Sequence, residues 1–599
     1  MRRLLHELET DVVIGGSSRT PKSSLARLAA SFAHIPPGRA AAFAVVVLTV
    51  VSLWGKLVKQ FGFFIYRDSY YYLLIAENLR NHPHPPGRLG VGGMPFPPPG
   101  YAAMKLTYPL LVTLPLLFGV GSETAGHIVT ATAAVLAVPA AYWAVRRWLD
   151  SRAVGMAAAA LVATSYGITC WAGFVMSDSL SVLLGFVVLG LVAKTLPDKL
   201  GNIGDVALGV AMFGLLLSRP TYVVALPLLA YVAVKRWELT IKRAATSVGV
   251  AALALAVWPT WFPPVAFTGK VLLRLLPVLG AAALASAFAL WLVHRVGREH
   301  RISRSATPWI LAAAVSLLLI LWAVQMIQSP AGGAGVFPAL ARFERRDFAT
   351  PLLVLPGALV LLYRGKGLEV GALAAASAAL LGVYYWTDPE ESRYLIHVLP
   401  FLVPIAAGAI LCLNRAVVQK RWRKKSARST SIGGQRILSF LIVSALVVGC
   451  SLQANRSLRP AEASFLATAY PRDVSVGAES SVQGSQALIT ALPWPYYFHL
   501  RMPTWAAGVV QDPKFLEYVP RNAKLAVLED ASLRFHYRDL ASALSRSTAA
   551  HMVGSFDVPT RYQYAYSSVV DEAPVRVWSI SAGDLKTIAD GLVHAGTMK

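Results

Sequence analysis

The amino-acid sequence predicts an α-helical polytopic membrane protein with about 13 transmembrane helices and a small C-terminal extracytoplasmic α/β domain. Three observations carry this. Of 599 residues, 55% are hydrophobic and only 15% charged, with a mean hydropathy of +0.53, too little polar surface for a dispersed globule of this size. Long apolar stretches recur between residues 40 and 453, several close to the roughly 20 residues a helix needs to cross the hydrocarbon layer. Basic residues gather in short loops between those stretches, whereas beyond residue 454 charges return steadily along the chain.

That placement also excludes other classes. A net charge of +25 could suit nucleic acid, but the basic residues form no continuous face. The strongest cluster is Arg415, Lys420, Arg421, Arg423, Lys424, Lys425, Arg428 and Arg436, with no acid among them. It reads as the retention signal of a cytoplasmic loop that can also touch anionic head groups. Cys170, Cys412 and Cys450 lie in or near apolar segments, which argues against a disulfide framework. The run VVGC ending at Cys450 has the form of a lipidation box but stands mid-chain, so it reads as a helix end. The segment before the first apolar run is too long for a cleaved signal, so that run reads as an uncleaved anchor.

Sidedness orders the elements. Residues 1–39 carry Arg2, Arg3, Arg19, Lys22, Arg27 and Arg39 and are placed in the cytoplasm. The first span covers 40–58 and exits. The next cytoplasmic marker is RRWLDSR at 146–152, so only one of the two intervening apolar stretches can cross. The stretch 104–120 is the shorter and holds Pro109 and Pro115. It is expected to be a kinked segment lying on, or dipping into, the outer face, which makes 59–123 one long external loop with juxtamembrane helices. Spans then follow at 124–144, 153–173, 179–194, 203–217, 221–234, 245–262, 271–293, 307–327, 349–363, 368–386, 396–414 and 436–453. The 40–453 membrane domain carries the basic cytoplasmic loop 415–435, and 454–599 forms the extracytoplasmic domain. Within it KLAVLED (524–530) and VRVWSI (575–580) read as strands and RDLASALSRS (538–547) as a helix.

The outer side holds the residues suited to chemistry. In YRDSYYYLLIAENL (66–79), Asp68 and Ser69 can start a helix running to about Arg80, with Tyr70, Leu74 and Glu77 on one face. Such a helix is expected to lie flat at the interface with its aromatics in the head-group layer. Asp68 can be a plain helix cap, or a carboxylate at a cavity mouth that takes the proton of an acceptor hydroxyl; the two roles are compatible. Asp178, in CWAGFVMSDSL, can cap the next span, orient an acceptor, position arginines or hold a metal. No tight ligand spacing appears around His82, His84 or His127, so no metal residue is assigned and a divalent ion stays open.

Arg393 and Tyr394 open a late span, with His397 one turn on. An arginine fork there matches a phosphate, unless it pairs with Asp388, Glu390 or Glu391. Lys270, Arg342, Arg345 and Arg346 fall outside against the positive-inside bias, as does Arg219 between two spans. Together they would suit a lipid phosphate.

Several motifs resemble the GT-C superfamily of polyprenyl-phosphate-sugar-dependent glycosyltransferases, most closely the branch of protein O-mannosyltransferases and lipid A aminoarabinose transferase. DSYYY (68–72) followed by LLIAENL is similar to that family's Asp-Glu-x-x-Tyr pattern after its first helix, with Ser69 in place of the glutamate. FPPPGYAAMKL, LLFG (116–119), the pair Arg146–Arg147, Ser177–Asp178 and Arg393–Tyr394–Leu395 follow in the family's order. Pro97 stands where the aminoarabinose branch has a lysine, and Lys105 is the nearest replacement.

An alanine- and arginine-rich composition with little lysine points to a bacterial plasma membrane, and the resemblance implies an inverting transferase. It would take a sugar from a polyprenyl-phosphate donor to a hydroxyl on a glycan, glycolipid or protein acceptor at the outer face. Asp68 and Asp178 would be catalytic. Arg393, Arg219, Lys270, Arg345 and Arg346 would bind the donor phosphate, and Tyr72, Glu77, Lys105, Tyr394 and His397 the substrates. Membrane lipids would be partners; no nucleotide sugar or nucleic acid is expected. Two other readings compete: a lipid or sugar transporter or flippase, which would favour midplane polar sites and paired repeats, and a non-catalytic subunit on the same scaffold, which Ser69 favours.

Overall fold

The computed structural model describes residues 67–81, 90–91, 94–95, 106–193, 201–219, 349–387, 396–411, 461–491, 493–508, 519–558 and 574–594, with single positions at 43, 46, 47, 50, 51, 221, 222, 225, 229, 516 and 517. The expected spans 245–262, 271–293, 307–327 and 436–453 lie outside the described residues, as does the basic loop 415–435.

The first elements described with full bounds are α1 (Arg67–Asn81), a hairpin of the two-residue strands β1 (Gly90–Val91) and β2 (Met94–Pro95), and α2 (Thr107–Leu117). At 11 residues α2 is roughly 16 Å long, about half of what crossing the hydrocarbon layer requires. One side of it, Tyr108, Val112 and Leu116, packs into the protein. The other leaves Leu110, Leu114, Leu117 and Phe118 bare, the last 87% exposed.

Next comes α3 (Ser122–Leu149), the one helix among the described residues that is long and apolar enough to cross a membrane by itself. It runs through Pro139 and past the expected end at 144. Its last turn places the Arg147 guanidinium 4.8 Å over the Trp143 ring, and Asp150 in the left-handed region closes it. Ser151 then caps α4 (Arg152–Thr164), its hydroxyl accepting from Val154 N.

One span is expected over 153–173. The chain instead stops α4 at Ser165 and restarts as the short α5 (Tyr166–Trp171). The local sequence Thr-Ser explains the break. Thr164 Oγ1 bonds back to Ala160 O at 2.7 Å, and Ser165 turns extended to offer its own oxygens to Ile168 N and Thr169 Oγ1.

The remaining described helices of this part are α6 (Asp178–Val192), α7 (Gly201–Ser218), α8 (Ala349–Tyr363), α9 (Gly367–Thr387) and α10 (Leu399–Ala407). Alanine and glycine let them approach closely. A Cβ on Gly190 of α6 would sit 1.9 Å from the Trp143 ring of α3, and one on Gly357 of α8 would sit 2.0 Å from Ile405 O of α10. The buried core runs continuously through α3, α4, α6, α9 and α10.

Among the described residues, the C-terminal part forms a five-stranded mixed sheet flanked by helices. Its elements are α11 (Ala461–Val482), β3 (Ala487–Thr490), α12 (Pro493–Leu500), β4 (Thr504–Ala506), β5 (Lys524–Glu529), α13 (Ala531–His536), α14 (Arg538–Arg546), β6 (His551–Phe556), β7 (Val575–Ser581) and α15 (Ala582–His594). The strand order is β4-β3-β5-β7-β6; β4, β3 and β5 are parallel, and β7 is antiparallel to both of its neighbours. Alternation along the strands feeds two cores. Ile489, Leu525, Val527 and Ile580 face α14 and α15, while Leu488, Ala526, Leu528 and Val577 face α11 and α12. α12 has a second neighbour: its Phe498 enters the cluster around α1 and α2.

This contact corrects one expectation. Tyr70, Tyr71 and Tyr72 are not in a lipid head-group layer: all three are buried inside protein, as is every residue from Ser69 to Ile75. Helical spacing shows which residues share a face, but it does not show that a second part of the chain covers that face.

Candidate functional site

Asp68 occupies the second position of α1, at the helix end where a carboxylate meets free N–H groups; its side chain lies outside the described residues. The rest of the helix is anchored on three sides. Toward the helix bundle, the Tyr72 hydroxyl lies 3.2 Å from Ser177 Oγ, so α1 is tied to the turn that opens α6. The Tyr72 ring meets Tyr108 of α2 edge-on at 5.2 Å, and the Tyr108 hydroxyl donates to Gly126 O at 2.9 Å on α3.

One residue beyond Ser177, Asp178 begins α6 and is completely buried. Its Oδ1 accepts from the Arg219 guanidinium at the end of α7, and it lies 2.9 Å from His397 Nε2, just ahead of α10. A carboxylate can only accept, so Nε2 carries the hydrogen of that bond. On the other side of the ring, Nδ1 is 3.3 Å from Ser181 Oγ, and the His397 carbonyl accepts from the Tyr222 hydroxyl at 2.8 Å. His397 is as buried as Asp178, and Arg219 is only 4% exposed. A lone carboxylate or guanidinium at such depth would be prohibitively expensive; together they neutralise each other. The first turn of α6 adds its own N–H groups beside the negative charge.

The third anchor joins α1 to the C-terminal sheet. Glu77 receives Arg501 as a fork, Nη1 at 2.6 Å from Oε2 and Nη2 at 3.2 Å from Oε1. Ser122, at the start of α3, also donates to Glu77 Oε1 at 2.5 Å. The Arg501 guanidinium lies 4.7 Å over the Phe498 ring. Arg501 closes α12 with a φ of 53°, its N–H bonded to Tyr497 O. Glycine is the usual residue in that left-handed closing position. An arginine there costs about 1 kcal/mol of backbone strain, and here its side chain forks on Glu77.

Two residues from Asp68, the Tyr70 hydroxyl is 3.1 Å from His499 Nε2, with the Phe498 and His499 rings at 5.2 and 5.3 Å. Burial, with Arg472 and Arg501 nearby, holds the His499 imidazole down at about 4. Burial, with a contribution from Glu123, pushes the Tyr70 phenol up.

The structure thus brings Asp178, Arg219 and His397 into one network and sets Tyr72 beside it, while Glu77 stands at the opposite end of α1. Lys105, Lys270, Arg345, Arg346, Arg393 and Tyr394 lie outside the described residues. Sequence reasoning missed Arg501, His499 and Phe498; the aromatic run PWPYYFHL before Arg501 is the only trace of them. It also missed Ser181 and Tyr222 as partners of His397. Among the described residues no cluster of three or more His, Cys, Asp or Glu could hold a metal ion.

No protein-family model matches the sequence, and no curated protein matches it. Solved structures do. The oligosaccharyltransferase of Archaeoglobus fulgidus aligns with a TM-score of 0.54 at 16% identity, over 84% of this chain and 71% of that one. ArnT from Cupriavidus metallidurans aligns with a TM-score of 0.50 at 13% identity, over 91% of this chain and 99% of that one. Both alignments span most of the chain. The chain therefore adopts the fold of these two solved structures over most of its length.

Proposed function

We propose that the chain is an inverting glycosyltransferase that moves a sugar from a polyprenyl-phosphate donor to an acceptor hydroxyl on the outer face of a bacterial plasma membrane. Asp68 accepts the hydroxyl proton as the acceptor oxygen attacks the anomeric carbon. The bond from that carbon to the phosphate oxygen breaks on the opposite face, and the electron pair leaves on polyprenyl phosphate. Arg393, Lys270, Arg345 and Arg346 receive the phosphate and stabilise its charge. Asp178 acts through others: it fixes the direction of Arg219 and His397 at the outer helix ends, and Arg219 offers its remaining N–H donors toward the phosphate site. Tyr72, Lys105, Tyr394 and His397 line the substrates, with Glu77 holding the far end of α1. About 13 spans and an extracytoplasmic domain from residue 454 complete this reading.

The observation that carries it is the convergence on Asp178. Three residues chosen from sequence for this site, 41 and 219 positions apart, meet in one buried network. Tyr72 links that network to the helix bearing Asp68. The neighbours' names add support at the level of fold, since one is an oligosaccharyltransferase. The test is turnover of purified protein with a panel of polyprenyl-phosphate sugars. Wild-type protein should release polyprenyl phosphate, and Asp68→Asn should abolish the release. Full turnover by Asp68→Asn would overturn the mechanism.

A further inference from the structure

Glu77 joins three segments that are far apart in sequence. It sits on α1, it receives Ser122 from the start of α3 across 45 positions, and it receives Arg501 from the end of α12 across 424. The Arg501 side chain is 53% exposed and that of Glu77 19%. An ion pair this open shifts an equilibrium by about fivefold or less on its own, so it is not what holds the sheet domain down. Docking rests on the buried cluster beneath it, where Phe498 and His499 enclose Tyr70.

What the fork adds is direction. Two parallel N–H···O bonds fix the carboxylate plane, and Phe498 holds the guanidinium from one side. The helix is then pinned at both ends from the same domain: Tyr70 near its start by His499, Glu77 near its finish by Arg501. Nine positions on a helix separate Asp68 from Glu77, roughly 14 Å of rigid rod.

We propose that Arg501 is a positioning residue: through Glu77 it sets the angle of α1, and with it the place of Asp68, so that docking of the C-terminal sheet domain completes the active site. This deepens the transferase reading and rests on it. It makes the sheet domain part of the catalytic geometry, and an acceptor that shifts this domain would move Asp68 as well.

The experiment uses full-length protein in lipid nanodiscs with Arg501→Gln, Glu77→Gln and the double variant. Hydrogen exchange of peptides covering 67–81 is the first readout. Each single variant should exchange severalfold faster there, and the double variant no faster than either single, while peptides over β3 and β5 stay unchanged. Arg501→Lys should fall in between. Additive effects of the two substitutions, or exchange over 67–81 equal to wild type, would overturn the docking claim whatever the chemistry.

The second readout is turnover with polyprenyl-phosphate sugars. There kcat should fall by about three- to tenfold at unchanged donor KM, again without additivity. Loosened exchange with full kcat overturns the positioning role and leaves the transferase reading intact. A wild-type protein inactive with every donor in the panel, but with the exchange pattern as stated, overturns the transferase reading and Arg501's part in catalysis, while the docking contact stands.

Discussion

Asp178 offers the sharpest quantitative test, because removing it leaves a charge behind. The carboxylate is fully buried and is shared between a guanidinium that is 4% exposed and a fully buried imidazole. Breaking a buried pair from one side costs about 3–5 kcal/mol, mostly from the orphaned partner. Asp178→Ala should reach that range. Asp178→Asn keeps the volume and one acceptor oxygen, so about 2–3 kcal/mol is expected.

For a large cooperative unit these losses lower the midpoint of thermal unfolding by on the order of 5–10 °C. This can be followed by tryptophan fluorescence and by size-exclusion recovery after heating in detergent. Arg219→Met introduced into Asp178→Leu should regain a good part of the loss, since no charge is then stranded. If Asp178→Asn melted with wild type yet lost all turnover, the carboxylate would be a reacting group, and the positioning role argued for it would be wrong.

Other perturbations separate the remaining contacts. His499 is held at about 4, below its usual 6.5. The folded protein therefore keeps the ring neutral where the unfolded chain protonates it: the contact with Tyr70 is at full strength above pH 6.5 and weakens as pH falls toward 4. With part of the ring open to solvent, about 2 kcal/mol is at stake, and thermal scans from pH 7 to 4.5 should show a loss that His499→Gln removes. Asp530 is pushed above the ordinary carboxylate range by burial, against bonds from Leu533 N and Tyr496. Its sheet is thus favoured below that raised value and loses stability as pH rises through it, and Asp530→Asn should flatten the curve in urea titrations. Gly190→Val would drive a side chain into Trp143 and should sharply reduce the yield of folded protein, while Gly591→Ala, with open space around it, should not. Tyr72→Phe removes one hydrogen bond to Ser177; turnover should drop less than about tenfold, and a larger drop would assign the hydroxyl a direct part in the reaction.

The fold was legible wherever one local rule decided it. Hydropathy and charge placed a helix at 349–363, which is where α8 lies, and at 203–217, which α7 covers as Gly201–Ser218. KLAVLED and VRVWSI, the second by its period-2 alternation, read as strands and are β5 and β7. Prolines and charge counting set 104–120 apart from the spans, and the helix found there, α2, has 11 residues against 15 for α8. The break at Ser165 was written in the Thr-Ser pair but concealed by the apolar residues on both sides, because hydropathy averages over a turn that two hydroxyls decide.

Asp178, Arg219 and His397 could each be selected because they carry polar groups to the same ends of their helices. That they touch depends on how α6, α7 and α10 pack, which no spacing encodes. Arg501 had no signal of that kind: it ends an ordinary helix in a distant domain, and its meaning comes from a partner 424 residues away.

Helix α2 has one flank packed among buried residues of α1 and the other, Leu110, Leu114, Leu117 and Phe118, left bare. Four apolar side chains on one flank form the kind of surface that lipid or a further protein element covers. Because the inner flank packs on α1, α2 and the helix carrying Asp68 form one packed unit. A change in what covers that flank, lipid or detergent, is therefore expected to reach α1 as well.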